Sequence, residues 1–313
     1  MILILSEKFD IPTQNIITKL DNYNAKYRVI YGSDLLEKSF FIDVNQKYIY
    51  FDDEVIADIT VVWYRRWLSY KFVFSQNPDE DRYLREEFES LSSYFMNNIT
   101  SKRWINTPPF IQPYPSKSTQ LQKAVQAGLN IPNSIVTNSK LFLNEFYESN
   151  KRSIITKNLN NPYFFEKGNE ILGTYTTIID DEDVKRQDNI YFPSLFQNNI
   201  IKDFEIRIFY FLETIYSYAI FSSNNSKTNT DFRLYDFNKP NRIMKCELPN
   251  EIELSLIKFM KSLNLHTGSI DMIRDISNNY YFLEVNPQGQ FGGLEEYGLF
   301  IEEDIVKYLM FQH

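Results

Sequence analysis

The chain has 313 residues, 43% of them hydrophobic, and a formal net charge of −8, which allows a large buried core in two or three domains and argues against general nucleic-acid binding. A single cysteine, Cys246, excludes an intramolecular disulfide, and the only histidines, His266 and His313, leave little for a zinc centre. The opening MILILSEKFD is too short an apolar run for a signal peptide, and no window approaches the roughly 18 apolar residues of a membrane span, so a cytoplasmic protein without a membrane partner is expected.

In chain order, the first hundred or so residues alternate strand-like and helix-like patterns: a strand over 2–5, a helix after Pro12, and strands over 28–31 and 59–62. This is an open α/β signature. Asn77, followed by Pro78, Asp79 and Glu80, predicts a capped helix start, and that helix runs to about Asn98. The stretch 106–116 holds prolines at 108, 109, 113 and 115, so it is expected to be extended and to mark a domain boundary. Beyond it come a helix over 116–129, strands over 134–137 and 152–157, and a polar segment over 158–189. Two long strands are expected over 203–211 and 215–221, then a polar loop over 222–230, a helix after Pro249, a hairpin around Asn278 and a terminal helix from about Glu302. The resulting division is 1–115, 116–196 and 197–313.

The segment from Gly268 to Gly293 carries the chemistry. Asn278 and Asn279 suit a two-residue hairpin loop, because asparagine tolerates positive φ. That loop pairs Ser277 with Tyr280, Ile273 with Glu284 and Asp271 with Asn286. Strand alternation then turns Asp271, Glu284 and Asn286 to one face. Three oxygen ligands so placed suit Mg²⁺, although spacing alone describes the wet face of a hairpin equally well. Glycines 289, 292, 293 and 298 follow closely and would let backbone approach a bulky anion. Elsewhere, Glu205 and Arg207 share a strand face with Phe209 and Phe211, as an ion pair or as a guanidinium placed for an anionic substrate. Arg65 and Arg66 close a strand at the end where open α/β sheets bind ligands.

The hairpin resembles the metal-binding element of ATP-grasp ligases. The motifs VVWYRRW (61–67), RSIITK (152–157), PSLFQNNIIKDFEIRIFYF (193–211), TDFRLYD (230–236) and LEVNPQGQFGG (283–293) resemble, more narrowly, the ligases that build graspetides, the microviridin-type crosslinked ribosomal peptides. The resemblance implies an α/β protein, α+β in its C-terminal half. It would have an N-terminal α/β domain, a central ATP-grasp subdomain and a C-terminal subdomain with the ATP and Mg²⁺ site.

The same resemblance makes Asp271, Glu284 and Asn286 the Mg²⁺ ligands and Lys157 a phosphate contact. It puts Phe196 and Gln197 at the adenine hinge, with Lys202 and Glu205 as further nucleotide contacts. Arg207 and Arg233 would face the γ-phosphate and the activated carboxylate, with Arg65 and Arg66 as further catalytic cations. The glycine-rich phosphate loop of many ATP-grasp proteins is poorly defined here, with only Gly168 and Gly173 in its region. Asp180, Asp181, Glu182 and Asp183 form an acidic run, read either as a solvated loop or as a dock for the leader of a precursor peptide. The implied reaction joins an Asp or Glu side chain of that peptide to a Thr, Ser or Lys side chain through an acyl phosphate. A homodimer is the expected assembly. The rivals are a ligase adding amino acids to a protein tail or metabolite, and a silent nucleotide- or peptide-binding module.

Overall fold

The computed structural model describes residues 1–45, 48–68, 72–101, 103–159, 164–167, 170–174, 176–221 and 242–311. The expected loop over 222–230, Arg233 and Gly168 lie outside them.

The first third contains β1 (Ile2–Ser6), α1 (Ile11–Asn22), β2 (Tyr27–Tyr31), α2 (Asp34–Glu37), β3 (Phe40–Asp43), β4 (Tyr48–Phe51), β5 (Glu54–Val55), β6 (Val61–Tyr64), α3 (Pro78–Asn97) and β7 (Trp104–Ile105). Strands β2, β1, β6 and β7 form, in that order, a parallel sheet. All of β1 is buried because the sheet is covered on both faces. Ile2 and Ile4 pack with α1 and the C-terminal part of the chain, and Leu3 and Leu5 pack with α3. Asp10 caps α1 by accepting from the Thr13 amide, and Asn77 caps α3 by accepting from the Asp79 and Glu80 amides. The strand expected over 59–62 begins two residues later: Asp58 takes a positive φ, and Ile59 makes only an isolated bridge to Ser101. The chain leaves β1 to one side for β2 and returns on the other as β6. The strand order therefore reverses between β1 and β6, and Arg65 and Arg66 follow there.

The middle third contains α4 (Lys117–Ala127), β8 (Ser134–Ser139), α5 (Lys140–Ser149), β9 (Ile154–Lys157), β10 (Phe164–Lys167), β11 (Glu170–Gly173), β12 (Thr177–Ile179), α6 (Asp181–Arg186) and β13 (Ile190–Asn198). Strands β12, β9, β13 and β8 form an antiparallel sheet, and β10 pairs with β11. One face of the sheet packs Ile154, Ile179 and Phe196 against Leu143 and Tyr147 of α5 and Val184 of α6. The polar segment over 158–189 is thus more structured than its composition suggests. It contains three strands and a helix whose capping box is made by Asp180 and Asp183.

The last third contains β14 (Lys202–Phe211), β15 (Thr214–Phe221), β16 (Arg242–Lys245), α7 (Asn250–Ser262), β17 (Thr267–Asp275), β18 (Tyr280–Asn286) and α8 (Ile301–Phe311). Its five-stranded antiparallel sheet has the order β16, β15, β14, β17, β18. Ile206, Ile208, Tyr210, Ile270, Met272, Phe282 and Val285 bury one face against α4 and α7. On the other face, Phe209, Phe211 and Tyr216 pack with β1, β6, α1 and α8, which ties this sheet to the N-terminal one.

The β17–β18 hairpin corrects the expected register. The turn is three residues long, Ile276 to Asn278, inside a closing bond from the Asp275 amide to the Asn279 carbonyl at 2.9 Å, with Asn278 at positive φ and the Asp275 carboxylate accepting from the Ser277 and Asn279 amides. Arg274 therefore pairs with Tyr280 and Met272 with Phe282. The register then shifts at Leu283, an extra residue on β18, so that Asp271 pairs with Glu284 and Ser269 with Asn286. The longer loop alone would turn Glu284 away from Asp271. The bulge turns it back, so the expected shared face survives although the expected pairs do not.

Candidate active site

Between the central sheet and the five-stranded sheet lies a cleft of about 310 Å³. Lys157 and Gln197 reach it from one side, and Lys202, Glu205, Arg207, Asp271 and Glu284 from the other. Strand register explains the gathering. Lys157 pairs with Leu195, and Ile155 with Gln197, so Lys157 and Gln197 share the sheet face opposite the one that packs on α5. Across the cleft, Lys245, Tyr218, Arg207, Asp271 and Glu284 are consecutive partners across five strands and form one row.

The carboxylates of the cleft have cationic partners. Arg207 Nε lies 3.5 Å from Asp271 Oδ1, Lys117 Nζ lies 2.8 Å from Glu284 Oε2, and Lys202 is ion-paired with Glu205. Lys117 also donates to the Asn158 carbonyl at 3.0 Å, linking the start of α4 to the residue after Lys157. Sequence reasoning passed over Lys117. It opens α4, where a cation opposes the helix dipole, and that misfit with a solvated surface position is the signal that it could have used. Burial pushes the Tyr218 phenol above its ordinary range, opposed by Arg207 and reinforced by Asp271, so it stays a neutral hydrogen-bonding group.

Other expected residues are placed differently. Asn286 shares the face of Glu284 but is exposed, and its Oδ1 accepts from the Gln288 amide at 3.0 Å. The second lone pair of that oxygen remains for another partner. The Phe196 ring is in the core against α5 and α6, away from the cleft, whereas Gln197 is fully buried within its wall. Gln197 Nε2 donates to Ser134 Oγ at 2.8 Å, while its Oε1 and Asn198 Oδ1 have no partner among the described residues.

Arg65 does not reach the cleft. It is buried, with Nε and one terminal nitrogen on the two Asp10 oxygens at 3.2 and 3.3 Å, and the other terminal nitrogen on the Gly289 carbonyl at 2.8 Å. Arg66 is half-buried and bonds Glu7 at 3.0 Å. The acidic run is mostly occupied within the protein. Asp180 and Asp183 cap α6, Arg186 pairs with Asp183 and Glu182, and Arg152 lies 3.7 Å from Asp181.

Charge and donor type fit a metal nucleotide. Asp271 and Glu284, opposed in register on one face, supply hard oxygen ligands, with Asn286 one pair further along. Lys117, Lys157, Lys202 and Arg207 surround them with positive charge suited to phosphates. The unpartnered Gln197 Oε1 in the wall would accept a hydrogen bond from an amino group.

Comparison with solved structures finds the same architecture over the whole chain. The macrocyclase MdnC of Microcystis aeruginosa MRC, bound with its precursor peptide MdnA, is 25% identical, with a TM-score of 0.84 over 100% of both chains. The RiPP-associated ATP-grasp ligase of Chryseobacterium gregarium, in complex with ADP and a leader and core peptide, is 22% identical, with a TM-score of 0.88 over 100% of this chain and 97% of that one. The ATP-grasp ligase PsnB, complexed with a variant of its minimal precursor, Mg and ADP, is 18% identical with a TM-score of 0.78, covering 99% of this chain and 98% of that one. No family model matches the sequence. Nor does any curated protein match it. Among the described residues, no helix is long and apolar enough to cross a membrane.

Proposed function

We propose, starting from its place among the ATP-grasp ligases, that this protein is an ADP-forming peptide macrocyclase that matures a ribosomal precursor peptide. The observation that carries the reading is the row Arg207, Asp271 and Glu284, aimed into a cleft that Lys157 and Gln197 enter from the opposite sheet. In the reaction, a side-chain carboxylate of the peptide attacks the γ-phosphorus of ATP, and ADP leaves. The resulting acyl phosphate is attacked at its carbonyl carbon by a Ser or Thr hydroxyl or a Lys amine. Inorganic phosphate departs, an ester or amide remains, and one water is lost from the peptide per crosslink.

Such chemistry depends on positioning and charge neutralisation rather than on a protein nucleophile. Asp271, Glu284 and Asn286 would hold Mg²⁺, which draws charge from the phosphate oxygens when bound. Lys117 and Lys157 bind phosphate oxygens, and Arg207 offsets the repulsion between the incoming carboxylate and the γ-phosphate. Gln197 receives the adenine amino group through its unpartnered oxygen, and Lys202 with Glu205 closes that end of the cleft. Arg233 acts with Arg207 on the activated carboxylate, and Arg66 would serve as a further cation for the acidic peptide. The three divisions at 1–115, 116–196 and 197–313, a leader dock at the acidic run on α6, a cytoplasmic setting and a homodimer complete the reading.

The test is incubation with ATP, Mg²⁺ and an acidic precursor containing Thr and Lys, followed by mass spectrometry and nucleotide analysis. Loss of one water per crosslink with release of ADP and phosphate is expected. AMP with pyrophosphate would replace the mechanism by adenylation. A mass gain dependent on free amino acids would favour an amino-acid-adding ligase, and nucleotide binding without turnover a silent module.

A further inference from the structure

Strand β18 leaves the cleft through a loop, Asn286 to Phe291, that is held by Ser269 of β17 and, from outside the hairpin, by Arg65 and Asn106. The Asn106 side chain donates to the Pro287 carbonyl at 3.2 Å, Ser269 Oγ donates to the Gln290 carbonyl at 2.9 Å, and Arg65 donates to the Gly289 carbonyl at 2.8 Å. Arg65, Asn106 and Ser269 are all buried. Gly289 is required here because a Cβ would lie 2.3 Å from the Ser269 Cβ, so the backbone lies flush on β17 and its carbonyl is fixed in direction.

The loop also sets the Asn286 side chain. The Gly289 amide donates to the Asn286 carbonyl at 3.0 Å, and the Gln288 amide donates to Asn286 Oδ1 at 3.0 Å. A chain of contacts therefore runs from Arg65 through Gly289 to Asn286. The Arg65 guanidinium suits this place because it forks. It grips both oxygens of Asp10, which itself caps α1, while a further donor reaches the loop and the charge lies 4.8 Å over the Phe291 ring.

We propose that Arg65 is a positioning residue for the metal nucleotide: it acts from the end of β6, through the Gly289 carbonyl, to hold Asn286 beside Glu284 and Asp271. The inference rests on the Mg–ATP reading of the cleft. It reassigns Arg65 from contact with substrate to alignment of a ligand, as outer partners of metal ligands do elsewhere.

Arg65→Lys separates the two jobs. One ammonium keeps a positive charge on Asp10 but cannot also reach Gly289. The parent, Arg65→Lys, Ser269→Ala and Arg28→Lys are compared by urea unfolding, by ADP binding in EDTA, and by the Mg²⁺ concentration that half-saturates ADP-dependent thermal stabilisation. Arg65→Lys is expected to keep metal-free ADP binding and to need about tenfold more Mg²⁺. Ser269→Ala, which removes one bond to the same loop, needs a few-fold more. Arg28→Lys, which changes an arginine paired with Glu54 on the edge strand β2, matches the parent. A parental Mg²⁺ requirement in Arg65→Lys overturns the inference; should that variant not fold, a parental requirement in Ser269→Ala does so. A parent that shows no Mg²⁺-dependent ADP binding overturns the nucleotide reading instead.

Discussion

Of the arginines set against carboxylates, two make the sharpest contrast: at the end of the parallel sheet Arg65 grips Asp10, and in the cleft Arg207 faces Asp271. The first pair is almost wholly buried, with side-chain exposures of 2% and 0% and two contacts between the partners. The second is 20% and 21% exposed, with Arg207 Nε 3.5 Å from Asp271 Oδ1. Burial decides what a charge is able to do. A buried, forked pair has no water to return to and holds its neighbours permanently, whereas a half-exposed pair exchanges partners when a stronger anion or cation arrives. The sequence shows Arg65 at a strand end and Arg207 within a strand beside Glu205, and only the packing around them tells the buried pair from the accessible one.

Breaking the buried pair should produce the largest change in stability. Asp10→Ala leaves Arg65 charged and unpaired, and a loss of about 3–5 kcal/mol in urea unfolding is expected. Burial alone would raise the Asp10 carboxyl, but the charge and hydrogen bonds of Arg65, the Thr13 hydroxyl and the Arg66 charge together hold it below the usual range. A depressed folded-state value contributes stability that is complete above the unfolded value, about pH 4, and is lost as pH falls further. The parent's urea midpoint should therefore drop more steeply below pH 4 than that of Asp10→Ala. Parallel curves would mean that the pair contributes nothing to acid sensitivity.

The cleft should respond in the opposite way. Glu284→Ala and Asn286→Ala are expected to leave the urea midpoint nearly unchanged while lowering Mg²⁺-dependent turnover by about 10²-fold or more. Near-normal ligation by either variant in excess Mg²⁺ would remove that residue from the metal site. Lys117→Met is a gentler perturbation. Nucleotide binding should weaken about tenfold, about 1.4 kcal/mol. Divalent-cation binding without nucleotide should strengthen, because Glu284 loses its competing ammonium. Titration with Mn²⁺ in the absence of nucleotide checks the second effect.

The smallest effect is expected at α6. Neutralising Asp181, Glu182 and Asp183 together should weaken binding of an isolated leader peptide only a few-fold, because the run is already engaged by its own helix, Arg152 and Arg186. Single-turnover ligation of bound peptide should be unchanged. Equal leader affinity in variant and parent would rule out this dock.

What the sequence made legible followed local rules. The cap at Asn77, the helix expected from 116, the proline-rich stretch before it and the long strands β14 and β15 all appear in place. What it hid depended on neighbours. Helix α5 starts directly from β8, and Ser139 makes no capping bond there, so no start signal marks it. The acids at 180–183 read as a charge run, although Asp180 and Asp183 stand at capping-box spacing. In the cleft, alternation turns Asp271 and Glu284 to one face, but in pairs that the turn and the bulge at Leu283 replace. The burial of Arg65 and the turning of Phe196 into the core depend on what packs against them, which periodicity along one strand does not reveal.

The extra residue at Leu283 has a consequence for how this protein tolerates insertions and deletions. The tip from Ile276 to Asn278 lies on the outer side of the bulge, so its length is uncoupled from the facing of Glu284. Lineages are free to lengthen or trim the tip as long as Arg274 stays opposite Tyr280. Deleting Leu283 alone closes the bulge: Phe282 stays opposite Met272, Glu284 follows directly opposite Asp271, and what is lost is the local bend and twist of the strand. Length variation in this hairpin should therefore be tolerated at its tip and by loss of the bulged residue, whereas a further single insertion between Phe282 and Glu284 that enters the ladder would turn Glu284 towards the apolar layer on α4 and α7.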